Sequence, residues 1–130
     1  MPQAFVIHEH HRGRSVHYDL MLGPPARDAE APLATWRLEQ DPADQPPGLS
    51  QPARRIADHG RHFLSYEGPL RAGRGEVRMH DSGTCTTRSS TAGLWLIDLH
   101  GRRIEGAFEL RRVADDRWRL TRLHPAASPE

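Results

Sequence analysis

Apolar and polar residues alternate along most of this chain, and the alternation predicts strands. In Val16–Leu22 (VHYDLML), Val16, Tyr18, Leu20 and Leu22 fall on one side of an extended backbone, with His17, Asp19 and Met21 on the other. Comparable short runs lie at Ala4–His8, Leu33–Leu38, His62–Tyr66, Gly75–His80, Leu94–Leu99, Arg103–Arg111 and Arg117–Leu123. No segment carries an apolar stripe at helical spacing. The joins hold Gly-Pro-Pro, Gln-Pro-Pro-Gly, Asp-Ser-Gly and Asp-Asp, which is the chemistry of turns. Eight short, closely spaced strands predict an all-β, mainly antiparallel fold: a compact single-domain β-barrel of about eight strands with long polar loops. The polar stretches Gly23–Pro32 and Glu39–Pro52 are expected to be surface loops. Residues 1–124 are expected to form the domain and 125–130 a flexible tail.

Composition narrows the function classes. The 130 residues fit one domain, and 36% hydrophobic residues with 11 Gly and 11 Pro favour short strands and long turns over a helical bundle. No apolar run is long enough to span a membrane, and the opening Met-Pro-Gln-Ala lacks a signal peptide's charged and apolar regions. Cys85 is the single cysteine, so an internal disulfide and a zinc ribbon are excluded and a cytoplasmic setting is expected. Net charge is +1, yet all 18 basic residues are arginine. A GC-rich genome explains that bias, though the arginine fork also matches phosphate oxygens. With no lysine, the chain cannot supply a P-loop, a lysine-adenylated ligase or a Schiff base.

Histidine adds candidate chemistry. Four of the nine histidines crowd the first 17 residues. His17 and Asp19 share a strand face, as do Val6, His8 and His10 in the preceding run. If the two strands pair through a turn at His11–Ser15, His10 approaches His17 and Asp19. Two imidazoles and a carboxylate form a common divalent-metal set with positions left for water or substrate. The plainer reading is solvated or hydrogen-bonded histidines on an edge strand, and spacing alone leaves both open. Asp58-His59 offers a general acid or a phosphate contact. His80-Asp81, at an expected strand end, reads more simply as solvated.

These motifs resemble a known family. The runs FVIHEH and VHYDLML, then LATWRL, ADHGRHFLSYEGPL, GRGEVRMHDSGT, LWLIDLHGRRIEGAFELRRV and DRWRLTRL, are similar in order to the 3′-phosphoesterase module of bacterial DNA ligase D and its small stand-alone relatives. The resemblance implies a compact β-barrel hydrolase, active with manganese, that removes a 3′ ribonucleoside and then a 3′ phosphate during non-homologous end joining. It implies metal ligation by His10, His17 and Asp19, with His11 a competitor for His10 because the gap to His17 is one residue longer than in most ligase-linked modules. The phosphate contact falls on His59. Its partners would be nucleic-acid 3′ ends, of DNA or of DNA ending in a ribonucleotide, together with a ligase or polymerase of end joining. Two departures stand out: the family's arginine after the HYD motif is Met21 here, and its tyrosine four residues after the DH histidine is Phe63.

The mechanism expected from these residues is metal-assisted hydrolysis, with His59 binding phosphate or protonating the leaving oxygen. Ligand softness alone favours Zn²⁺ over Mn²⁺ at two imidazoles, so the manganese expectation rests on the resemblance and on metal supply, with Zn²⁺ or Co²⁺ as alternatives. With Met21 uncharged, another arginine is expected to serve the phosphate, Arg14 in the turn being favoured over Arg61. Two rivals stay open. One is an inactive module that binds DNA ends or a repair partner. The other is a cupin-like metalloenzyme suggested by His8-Glu9-His10, although Arg14 stands where that class wants a carboxylate.

Overall fold

The computed structural model describes residues 3–24 and 31–125, so the expected tail beyond 125 and most of the Gly23–Pro32 loop lie outside the described residues. The strands are β1 (Gln3–Arg12), β2 (Ser15–Leu22), β3 (Leu33–Leu38), β4 (Ser50–His59), β5 (Gly68–Pro69), β6 (Glu76–Ser90), β7 (Leu94–Gly101), β8 (Glu105–Ala114) and β9 (Arg117–Arg122). They pair antiparallel in the order β1-β2-β3-β4-β9-β8-β7-β6-β5, and β1 also pairs with β6. That last pairing closes an eight-stranded barrel, leaving two-residue β5 as an appendage on β6. The expected all-β barrel is the fold observed.

Alternation produces two hydrophobic cores. The larger fills the barrel with residues such as Phe5, Ile7, Leu20, Leu38 and Phe108. All three tryptophans meet there, the Trp36 ring lying 5.0 Å from Trp95 and 5.5 Å from Trp118, edge to face. The smaller sits outside the barrel: Val6, Met21 and Leu33 are covered by Phe63, Leu64 and Met79. This outer cluster binds the segment after β4 against the backs of β1, β2 and β3, and so builds a wall beside the histidine strands.

Several assignments need correction. His62–Tyr66 is not a strand, because Arg61–Leu64 forms a turn of 3-10 helix that drops Phe63 and Leu64 onto the outer cluster. The fourth barrel strand is Ser50–His59, whose start lies inside the expected Glu39–Pro52 loop. Its apolar pattern is hidden because Arg55 occupies an inward position, its guanidinium 4.3 Å from the Trp36 ring centre. The His11–Ser15 turn is also shorter than expected. β1 runs to Arg12 and pairs with Ser15, leaving Gly13 and Arg14 as a two-residue turn. Gly13 takes φ 60°, where a side chain is strained and glycine is not.

His80-Asp81 is not solvated either. Asp81 is 2% exposed and accepts hydrogen bonds from the backbone N–H groups of Ser82, Arg102, Arg103 and Ile104. Its carboxylate thereby fastens the β7–β8 turn to β6. His80 lies 2.6 Å from Asp41 and 3.5 Å from Glu9, which holds the β3–β4 connection against the barrel end.

Candidate metal centre

The register of the β1–β2 hairpin builds the site. His10 stands opposite His17 and His8 opposite Asp19. Residues two apart share a face, so His8, His10, His17 and Asp19 all point outward from the barrel beside Met21. One ligand atom from each of His10, His17 and Asp19 lies within 4.8 Å of the others. His10 Nδ1 is 2.6 Å from His17 Nε2, and each of these nitrogens is 3.8 Å from an Asp19 carboxylate oxygen.

The donor set suits a divalent cation. His10 Nε2 lies 2.7 Å from the Arg74 carbonyl, which can only accept, so Nε2 carries the proton and Nδ1 presents a lone pair to the cluster. Burial pushes the His17 imidazole down to about 4, with the Asp19 carboxylate opposing and Arg37 and His10 reinforcing. His17 is therefore neutral at physiological pH, the form that ligates. Asp19, 2% exposed, also accepts from Arg37 Nε at 3.2 Å, which orients the carboxylate. The three side chains fit a divalent metal, with Asp19 supplying one negative charge.

His11 faces the other way and pairs with Glu9, so the geometry joins His10 and not His11 to the cluster. His8 is fully buried, and neither of its ring nitrogens has a hydrogen-bond partner among the described residues. Burial lowers its pKa.

A groove of about 720 Å³ opens in front of the cluster, lined among others by His8, His10, Asp19, Arg37, His59 and Arg74. His59, the last residue of β4, also lines this groove. Its Nδ1 donates to the Ala57 carbonyl at 2.9 Å, which leaves Nε2 for a ligand. The Phe63 ring props it at 5.2 Å and also touches His8 at 5.9 Å and His62 at 4.2 Å. Met21 and Phe63, the two departures from the family pattern, both belong to the outer apolar cluster and both line the groove.

Arg14 occupies the exposed tip of the hairpin, and neither it nor Arg61 lines the groove. The cation beside the cluster is Arg37, which sequence reasoning did not single out. Its signal was present, since Arg37 alternates with Trp36 and Leu38 in LATWRL and so had to face outward, toward the side that carries Asp19. Arg74 was missed for a different reason: it serves through its carbonyl, which no side-chain pattern marks.

Residues 8–112 match the family model described as the DNA ligase D 3′-phosphoesterase domain. The chain is 32% identical to the multifunctional non-homologous end joining DNA repair protein LigD of Mycobacterium tuberculosis, in a match covering 92% of this chain and 16% of that protein. The LigD protein of Mycobacterium bovis matches to the same extent. The chain therefore spans about a sixth of the length of these relatives. It belongs to the DNA ligase D 3′-phosphoesterase domain family.

Proposed function

We propose that this chain is a divalent-metal-dependent phosphoesterase that trims nucleic-acid 3′ ends, removing a terminal phosphate or ribonucleoside in DNA end joining. Family membership supports a phosphoesterase role in end-joining repair. The observation that carries the metal-dependent reading is the convergence of His10, His17 and Asp19 on one point, with His10 and Asp19 lining a groove that also holds His59.

In this reading His10 Nδ1, His17 Nε2 and Asp19 hold the cation, of which Mn²⁺ is the proposed species and Zn²⁺ or Co²⁺ the alternatives. When bound, such an ion polarises a phosphoryl oxygen and lowers the pKa of a coordinated water. Arg37 keeps Asp19 oriented and adds positive charge beside the phosphate. His59 Nε2 hydrogen-bonds a phosphate oxygen or delivers a proton to the leaving oxygen. Phe63 holds the His59 ring. Residues 1–124 act as one catalytic domain, in a cytoplasmic setting that suits an unpaired Cys85. Among the described residues, no helix is long and apolar enough to cross a membrane.

The second reading, a module that binds ends without cleaving them, draws on Met21 and Phe63, which leave the groove floor apolar where the family carries an arginine and a tyrosine. One assay decides between them. The purified protein is offered DNA ending in a 3′ phosphate or a single 3′ ribonucleotide, with Mn²⁺, Zn²⁺, Mg²⁺ or Co²⁺. Release of phosphate or nucleoside that EDTA abolishes is expected. Tight binding without release under every metal would favour the binding module.

A further inference from the structure

The surface beside the metal centre continues as a second groove. Arg37, which lines the first groove, joins His17 in lining an open trough of about 1050 Å³ that crosses the outer face of β2, β3, β4 and β9. Four arginines line it, Arg37, Arg54, Arg117 and Arg119, against two carboxylates, Glu39 and Asp116. Strand register arranges three of them in a row that starts at a candidate metal ligand. Asp19 stands opposite Arg37, Arg37 opposite Arg54, and Arg54 opposite Arg117. Neighbouring strands lie about 4.8 Å apart, so the row leads away from the metal centre one strand at a time. Arg119 follows two residues along β9, on the same face.

Like charges placed directly opposite one another destabilise a sheet, so the barrel gains nothing from this alignment. Asp19 offsets Arg37 at 3.2 Å and Asp116 offsets Arg54 at 3.0 Å. Among the described residues, Arg117 and Arg119 form no ion pair. A solvated arginine face accounts for such residues singly but not for a row beginning at the site. The trough also holds apolar surface. Of the three large hydrophobic side chains exposed among the described residues, Val16 (43%) and Val113 (59%) line it. Cationic forks and exposed apolar side chains in one trough suit a chain of phosphates joined by less polar sugars and bases.

We propose that this trough carries the strand whose 3′ end lies at the metal centre, with Arg54, Arg117 and Arg119 gripping the phosphates that precede that end. The proposal rests on the reading that the substrate is a nucleic-acid end. It assigns these arginines to binding and register, not to the chemical step.

The test is binding of a fluorescent, 3′-phosphorylated single-stranded DNA oligomer, followed by anisotropy across a salt series in EDTA, so that turnover plays no part. Arg54→Ala/Arg117→Ala should bind about tenfold more weakly or worse at low salt. Its plot of log affinity against log salt should be flatter by about 1.4, since each phosphate contact on a single strand contributes about 0.7. Arg54→Lys/Arg117→Lys should keep most of the slope, and melting temperatures check that every variant is folded. Arg88→Ala, an exposed arginine outside the trough, should bind like wild type. Wild-type affinity and slope in the double alanine variant would overturn the proposal, as would an equal loss in Arg88→Ala. The two readings fail separately. Wild-type protein that releases no phosphate from this oligomer in a parallel assay with Mn²⁺, Zn²⁺, Mg²⁺ or Co²⁺, while the slope difference persists in EDTA, counts against the phosphoesterase and not the trough. Normal release with an unchanged slope in the double variant counts against the trough alone.

Discussion

His10 and His17 face each other across the β1–β2 hairpin with Nδ1 and Nε2 2.6 Å apart. Because the Arg74 carbonyl fixes the His10 proton on Nε2, the short approach without a metal requires His17 Nε2 to donate. With a cation held between them, each ring would instead present a lone pair, His10 from Nδ1 and His17 from Nε2. His17→Ala and Asp19→Asn should each cost about 100-fold or more in Mn²⁺ affinity by calorimetry, beyond what loss of an outer-shell partner costs. His11→Ala should leave affinity unchanged, because that ring faces the other side of β1. Wild-type affinity in His17→Ala would remove it from the ligand set. Metal at about a hundredfold over Kd should stabilise the wild-type protein by about 2.7 kcal/mol and the ligand variants hardly at all.

Arg37 touches Asp19 and lines the groove, whereas Arg14 stands at the hairpin tip. Loss of one charge-assisted contact to a phosphate dianion costs roughly 1.5–3 kcal/mol. Arg37→Ala should therefore raise KM for a 3′-phosphate end about tenfold or more. Arg14→Ala should change it little. Steady-state kinetics of the two variants side by side check this, and the reverse ranking would restore the hairpin-tip arginine to the site.

Asp81 is the most heavily committed buried polar group outside the metal centre. Four backbone N–H groups lose their acceptor in Asp81→Ala, three of them from the 102–104 backbone. Destabilisation of about 3 kcal/mol or more is expected in urea unfolding, since each stranded buried donor costs about 1–3 kcal/mol. A loss below about 1 kcal/mol would mean that solvent replaces the carboxylate.

Burial pushes the Cys85 thiol up from 9.0 to about 11. A folded pKa above the unfolded one gives stability that is complete below pH 9 and lost as pH rises toward 11. The linkage amounts to roughly 3 kcal/mol. The stability advantage of wild type over Cys85→Ala should shrink across that window. At pH 8 the native thiol should resist a disulfide reagent and react once the protein is unfolded. Rapid native labelling would contradict the burial.

Much of the site was legible because it rests on period-2 alternation. A strand repeat of two forces His17 and Asp19 to one face, and the hairpin register then requires a neighbour two residues before Arg12 to meet them. What alternation could not reveal depended on tertiary context. Arg55 breaks the apolar pattern of β4 because its stem and fork cover Trp36 from inside the barrel. The HFLSY run alternates like a strand, yet Phe63 and Leu64 find their burial outside the barrel and curl to reach it. Asp81 read as solvated because its four partners are backbone groups 1 to 23 residues away along the chain. Arg37, in turn, acquires meaning only from Asp19 on the next strand.

The most direct measurement couples occupancy to turnover. Metal-free protein is titrated with Mn²⁺ while calorimetry follows binding and a parallel assay follows phosphate release from a 3′-phosphorylated DNA end. One strong site per chain is expected, with turnover that rises in step with its filling and neither signal in Asp19→Asn. Turnover in metal-free protein, or a filled site in Asp19→Asn with wild-type release, would contradict that expectation.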